Sequence, residues 1–268
     1  MDLIEKWLHK VKEFILKQYF QGHNVIDVPS SRDWLAKPIQ PLLGKGGNKW
    51  DSLPDKVDLF DKALKVIEKE FKIDTQNALK MFPNQDGNEC TAYSNIYGIK
   101  ISQTIASDKY SALDEERHWQ KMLSLGIASD KEGATLQASI NTFTKNDQGK
   151  PIAAYYRLTN NRNIPKEDLL WNVLAQIARQ RTLFTGNYWR GKNWNVLVDT
   201  GIYYNMEGAA NGAHAICLCG FKKKEKLVQV IQALPNKFGD NEIRVYWIPF
   251  EELDGLMNIY AIIPYEYK

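Results

Sequence analysis

Three cysteines and four histidines carry most of the nucleophilic and proton-transfer chemistry open to this chain. Cys90 follows the turn Asn84-Gln85-Asp86-Gly87-Asn88-Glu89 and opens a run to Ile105. The small and apolar residues of that run (Ala92, Ile96, Gly98, Ile99) predict a buried helix. A helix N-terminus presents unpaired N–H groups and the positive end of the dipole, and both favour a thiolate over a thiol. His214 opens a strand-like run to Phe221, after a glycine- and alanine-rich approach from Gly208 to Ala213. An imidazole at a strand end can aim into a cleft and take a thiol's proton. Cys217 and Cys219 alternate with Ile216 and Leu218 on the face opposite His214 and read as buried small side chains. They form a Cys-x-Cys pair without a second pair of ligands, so neither a metal nor a cofactor is expected. His9, His23 and His118 read as surface or packing residues.

The elements that must position this pair divide the chain in two. Residues 2–20 carry Leu3, Ile4, Trp7, Leu8, Val11, Phe14 and Ile15 at helical spacing, which predicts an amphipathic helix. Residues 25–58 are punctuated by prolines and by Gly44-Lys45-Gly46-Gly47, so an irregular wrap is expected. Helices are then expected over 59–71, 90–105, 113–125 and 134–143. One more, opened by Pro165, runs to about Arg181. The remainder reads as strands: 182–188, 194–198, 214–221, 227–234, 243–248 and 259–264, with Lys222–Lys226 as a hairpin tip. The stretch from Trp189 to Trp194 reads as a turn bordering a cleft. Helices first and antiparallel strands second define an α+β fold.

Composition narrows the function. The 268 residues carry 35 basic and 32 acidic side chains, a net +3, without the basic stripe of a nucleic-acid binder. Apolar residues reach 44%, enough for a core. No run approaches the roughly 18 apolar residues of a membrane span. The N-terminus does not read as a secretory signal. Three cysteines are too few for a disulfide framework and suit a reducing compartment.

Beyond the Cys–His pair, the motifs resemble those of papain-like cysteine peptidases. Asn84-Gln85-Asp86-Gly87-Asn88-Glu89-Cys90-Thr91-Ala92-Tyr93-Ser94 is similar to the family's Asn-Gln-Gly-x-x-x-Cys-Trp-Ala-Phe-Ser. Ala213 to Phe221 is similar to its Gly-His-Ala-x-x-x-x-Gly-Tyr strand. Gly133 to Phe143 resembles its Gly-Gly helix, and Leu53 to Asp58 the segment that opens the mature enzyme. The resemblance spans about residues 53–250. It implies a two-lobed fold, in which a helical lobe with a central Cys90-bearing helix faces an antiparallel β-rich lobe bearing His214. It also implies that Cys90 is the nucleophile, His214 the base, and the Gln85 side chain an oxyanion donor beside the Cys90 N–H. Laid without gaps, Gln232 falls on the family's catalytic Asn. Val228, Val230 and Gln232 share one strand face, which supports that placement. Asn236 keeps the residue type but needs a four-residue shift, and it stays open as the alternative.

Four positions depart from the family pattern. Gln85 precedes Cys90 by five residues where the family has six, and Asn84 has the six-residue offset, so either amide could serve the oxyanion. Thr91 replaces the usual Trp. Leu234 stands where a Trp would shield the imidazole. Glu89 adjoins the nucleophile, where a negative charge opposes a thiolate, although a solvent-facing loop carboxylate there would have little effect.

The leading expectation is a thiol endopeptidase that binds an extended polypeptide between the lobes. A second is a catalytically weak or inactive module of the same fold, for example a phage virion component docking a neighbour through its N-terminal helix. A third is another thiol acyl-transfer enzyme, a transglutaminase or cell-wall amidase. The expected organisation is residues 1–50 as an extension or pro-like segment, 51–150 as the helical lobe and 151–268 as the β-rich lobe. The expected location is the cytoplasm, or a virion if the chain is of phage origin.

Overall fold

Leu59–Phe71 forms helix α1 over the span its periodicity predicts, with Leu59, Phe60, Ala63, Leu64 and Ile67 buried. Asp58 caps it, Oδ1 accepting from the Asp61 N–H at 2.9 Å. The computed structural model describes residues 25–26, 49–143, 152–158, 165–189, 191–204, 212–234 and 244–264. The expected N-terminal helix over 2–20 lies outside the described residues. After α1 come α2 (Thr75–Leu79), α3 (Cys90–Ser107), α4 (Glu115–Ser124) and α5 (Leu136–Thr142).

Helix α3 is the centre of the helical part. Every residue from Cys90 to Thr104 is buried, so it has no solvent stripe and must satisfy its polar groups internally. Lys100 Nζ does so at 2.8 Å from Glu115 and 2.8 Å from the Met81 carbonyl. Gly98 lets the helix approach its neighbours. A Cβ there would lie 2.8 Å from Thr182 Oγ1 and 3.3 Å from Cys217 Sγ.

The strands are β1 (Val25–Ile26), β2 (Lys56–Asp58), β3 (Ala128–Ser129), β4 (Gly133–Thr135), β5 (Ile152–Arg157), β6 (Leu183–Trp189), β7 (Gly212–Lys222), β8 (Leu227–Ile231), β9 (Val245–Pro249) and β10 (Tyr260–Pro264). The main sheet has the order β5-β10-β6-β7-β8-β9 and is antiparallel throughout. Strand β2 joins it along β7, with Val57 opposite Phe221 and Asp58 opposite Gly220. Gly220 is squeezed from both sides, since a Cβ there would lie 2.6 Å from the Val57 carbonyl and against the Gln229 side chain. Strands β1, β4 and β3 form a separate small sheet.

One expected element is corrected and one strand was missed. The expected strand 194–198 is part of helix α7 (Gly191–Thr200), which follows helix α6 (Lys166–Ala178). Leu197 is buried and Val198 is 50% exposed, and Gly201 at φ +69° ends the helix. The β-branched and aromatic residues there mimic a strand by composition. Strand β5 was not expected. It pairs with β10 and supplies an edge of the main sheet. Among the described residues, no helix is long and apolar enough to cross a membrane.

Candidate active site

Cys90 is the first residue of α3. The preceding Glu89 makes no side-chain cap to the helix, unlike Asp58, Asp114 and Thr135 at their helices. The Ala92 N–H donates to the Glu89 carbonyl at 2.9 Å, and the N–H groups of Cys90 and Thr91 are left to the helix end. Backbone hydrogen bonds from Ala215, Thr91 and Cys90 itself act on the Cys90 sulfur and favour its ionised form. Burial acts the other way and dominates. Cys90 is 2% exposed, and its thiol is pushed up to about 11.

Ala215 is the residue after His214 on β7, so the sulfur sits against the strand that carries the histidine. One helical turn beyond Cys90, Ser94 Oγ donates to the Ala215 carbonyl at 2.7 Å. Cys90, Ala213 and Ala215 belong to one buried cluster with Leu136, Phe184 and Met257. His214 is 6% exposed, and burial holds its imidazole down to about 4. At neutral pH this form therefore contains a thiol and a neutral imidazole.

The loop before Cys90 is tied to the segment that follows β8. The Gln85 N–H donates to the Leu234 carbonyl at 3.0 Å. Gln85 is 3% exposed, and its side-chain Nε2 donates to the Gly87 carbonyl at 2.6 Å. The side-chain oxygens of Asn84 and Gln85 are buried without a hydrogen-bond partner among the described residues. Glu89 does not face solvent as expected. It is 8% exposed, its carboxylate accepts from the Asp86 N–H at 3.1 Å, and burial raises its pKa.

Gln232 is fully buried and continues the β8–β9 ladder, its N–H donating to the Arg244 carbonyl at 2.9 Å. Leu218 pairs with Val230, so alternation puts His214, Leu218, Val230 and Gln232 on one face of the sheet. Asn236 lies outside the described residues. Cys217 and Cys219 are fully buried, as expected, and all three cysteines are free thiols.

A second polar group braces helix α3. Ser139 Oγ donates to the Thr91 carbonyl at 2.9 Å and accepts from Asn95 Nδ2 at 3.0 Å. His118 Nε2 lies 3.2 Å from the same hydroxyl, and its ring stacks on Phe143 with centroids 4.1 Å apart. His118 is thus a core residue, and burial lowers its pKa to about 3. The sequence offered only its place on an amphipathic segment.

Strand β1 reaches this region from the N-terminal segment. It pairs in parallel with β4, Val25 opposite Ala134 and Ile26 opposite Thr135, and it also lies against β7. The chain's own backbone thus stands between the strand that leads into α5 and the strand that carries His214.

No protein-family model matches the chain, and no curated protein matches it by sequence. Solved structures do. Xylellain, a cysteine protease from Xylella fastidiosa, superposes with a TM-score of 0.60 at 15% identity, over 93% of this chain and 97% of that one. Procathepsin B from Trypanosoma congolense superposes with a TM-score of 0.58 at 11% identity, over 91% of this chain and 87% of that one. Identities this low speak for architecture alone, and the architecture is the papain-like fold, with helices and an antiparallel sheet meeting at the helix that Cys90 opens.

Proposed function

We propose that the chain is a cysteine peptidase in a latent form. The observation that carries this reading is the contact of the Cys90 sulfur, at a helix N-terminus without a side-chain cap, with the backbone beside His214. In the active form His214 takes the thiol proton, and the thiolate attacks a peptide carbonyl to form a C–S bond. The oxyanion receives the Cys90 N–H and one side-chain amide. Gln85, tethered at its backbone and buried, is the first choice for that amide, with Asn84 the alternative. The imidazolium then protonates the leaving amine as the C–N bond breaks, and water hydrolyses the thioester. Gln232 shares the face of His214 and would orient its ring, a role that Asn236 would take if Gln232 does not. No cofactor enters these steps.

Residues 1–50 act in this proposal as a pro-like segment, with 51–150 the helical lobe and 151–268 the β-rich lobe. Strand β1 occupies the place where an extended polypeptide substrate would pair with Gly133–Thr135. Three free thiols suit the cytoplasm, or a virion if the chain is of phage origin.

The test is labelling of the full chain with an epoxide thiol inhibitor, in wild type, Cys90→Ala and Val25→Pro/Ile26→Pro. The two prolines remove both N–H groups of β1 and loosen its ladder. Labelling at Cys90 that increases in the proline variant, together with cleavage of an unfolded protein substrate, supports a latent peptidase. The burial of Cys90 favours a second reading, a non-catalytic module of the same fold. Absence of a Cys90-dependent adduct in both wild type and the proline variant establishes that second reading instead.

A further inference from the structure

His214 has a partner strand on each side, and the sequence motifs drew attention to only one of them. On the other side, Asn187 of β6 is its direct Cα partner in the β6–β7 ladder. Paired residues of an antiparallel ladder point to the same face, with Cβ atoms about 4.5–5.5 Å apart. Asn187 is 1% exposed. Its amide has a fixed orientation, because Nδ2 donates to the Tyr246 hydroxyl at 3.3 Å. Tyr246 is fully buried on β9 and pairs with Val230, so it stands on the same face. The other end of the amide, Oδ1, is buried without a hydrogen-bond partner among the described residues. A buried acceptor left open beside an imidazole suits an N–H that the ring presents only in its working orientation.

We propose that Asn187 is a positioning residue for His214, its Oδ1 accepting an imidazole N–H from the flank opposite Gln232. Tyr246 holds Asn187, and Asn187 holds the ring, so one nitrogen carries the proton and the other is free to face the thiol. An amide oxygen fixes the tautomer without placing a negative charge beside the ring. This role rests on the reading of Cys90 and His214 as the reacting pair. Sequence spacing could not reveal it, because Asn187 reaches His214 only through strand register.

The test uses the full chain with ¹⁵N-labelled histidine, the His214 signals being assigned by their loss in His214→Gln. The wild type should show a single His214 tautomer. Asn187→Leu, which keeps the branched shape and removes the acceptor, should mix the two tautomers and, in the Val25→Pro/Ile26→Pro background, lower kcat at least tenfold with KM changed less than twofold. Asn187→Asp, nearly isosteric, keeps the acceptor and adds a charge. It should keep the single tautomer and raise the His214 pKa by at least one unit. An unchanged tautomer ratio in Asn187→Leu overturns the proposal. If that variant does not fold, an unshifted His214 pKa in Asn187→Asp overturns it instead. The tautomer is read without turnover. A lost tautomer preference in a chain whose Cys90 never reacts would therefore keep this proposal and remove the peptidase reading.

Discussion

Ser94 is hydrogen-bonded to Ala215 across the junction of helix and sheet, Oγ to carbonyl, at 2.7 Å. The bond lies one helical turn from Cys90 and one residue along β7 from His214. It therefore fixes the distance and the rotation between the helix that carries the thiol and the strand that carries the imidazole. Ser94→Ala leaves the Ala215 carbonyl buried without this donor. The expected cost is about 1–3 kcal/mol of stability, read from urea unfolding. Cys90 reactivity should fall as well, by a factor that exceeds any change in the folded fraction.

The Cys90 thiol should titrate far above a free cysteine. With burial pushing it to about 11, alkylation of native Cys90 by iodoacetamide should rise about tenfold per pH unit through the neutral range and level off only near that value. In Val25→Pro/Ile26→Pro the apparent pKa should drop, since the thiol regains solvent and the burial that raises it is relieved. A plateau below pH 8 in the unaltered chain would contradict the latent form.

Stability should depend on pH through His118. Burial holds it at about 3, while the unfolded side chain titrates at about 6.5. Between those values the unfolded chain takes up a proton that the folded chain refuses. This contribution is therefore complete above about pH 6.5 and is lost as pH falls toward 3, at about 1.4 kcal/mol per unit. Glu89 and Glu115, raised by burial, pull in the opposite sense. The readout is thus the difference between wild type and His118→Gln. The slope of unfolding free energy between pH 6 and 4.5 should be smaller in the variant by about that amount.

Lys100 and Glu115 are 2% and 4% exposed at their side chains and 2.8 Å apart. Removing one partner strands the other in the core, so Lys100→Met should cost about 3–5 kcal/mol. Lys100→Met/Glu115→Leu should recover most of that loss, because an apolar pair avoids the desolvation of both charges. Thermal melts of the three forms decide this.

Gly98→Ala should destabilise by about 1–3 kcal/mol, because the new methyl meets Thr182 and Cys217 before the helix can settle on β7. Gly87 tests the specificity of that claim, since nothing lies within 4 Å of its position and Gly87→Ala should leave the melt nearly unchanged.

The two ends of the candidate site were legible in the sequence for local reasons. A turn rich in Asn, Asp and Gly before a run of small apolar residues predicts a helix start at Cys90, and α3 begins there. A short, continuous apolar run after His214 predicts a buried strand, and β7 is buried along nearly its whole length. What failed depended on partners far away in the chain. Leu197 in the core and Val198 outside it fit a helix, but Trp194, Val196 and Val198 carry strand propensity, and tertiary packing overrode it. Glu89 looked like a solvated loop residue until the loop folded back over the Asp86 N–H. Strand β1 is two residues long and owes its existence to β4, more than 100 residues away, so no local pattern announces it.

Strand β2 has a consequence for how the protein is made. Lys56, Val57 and Asp58 find their hydrogen-bonding partners at Lys222, Phe221 and Gly220. At ribosomal speeds of about 5–20 residues per second, roughly ten to thirty seconds separate the synthesis of the two sides of that ladder. During that interval a three-residue edge waits unpaired beside helix α1, whose cap Asp58 supplies. The ladder joins the first described helix to the middle of the sheet. The helical half can collapse early, but it completes its edge only after β7 has emerged. The last steps of folding should therefore be slow, cooperative and shared by both halves.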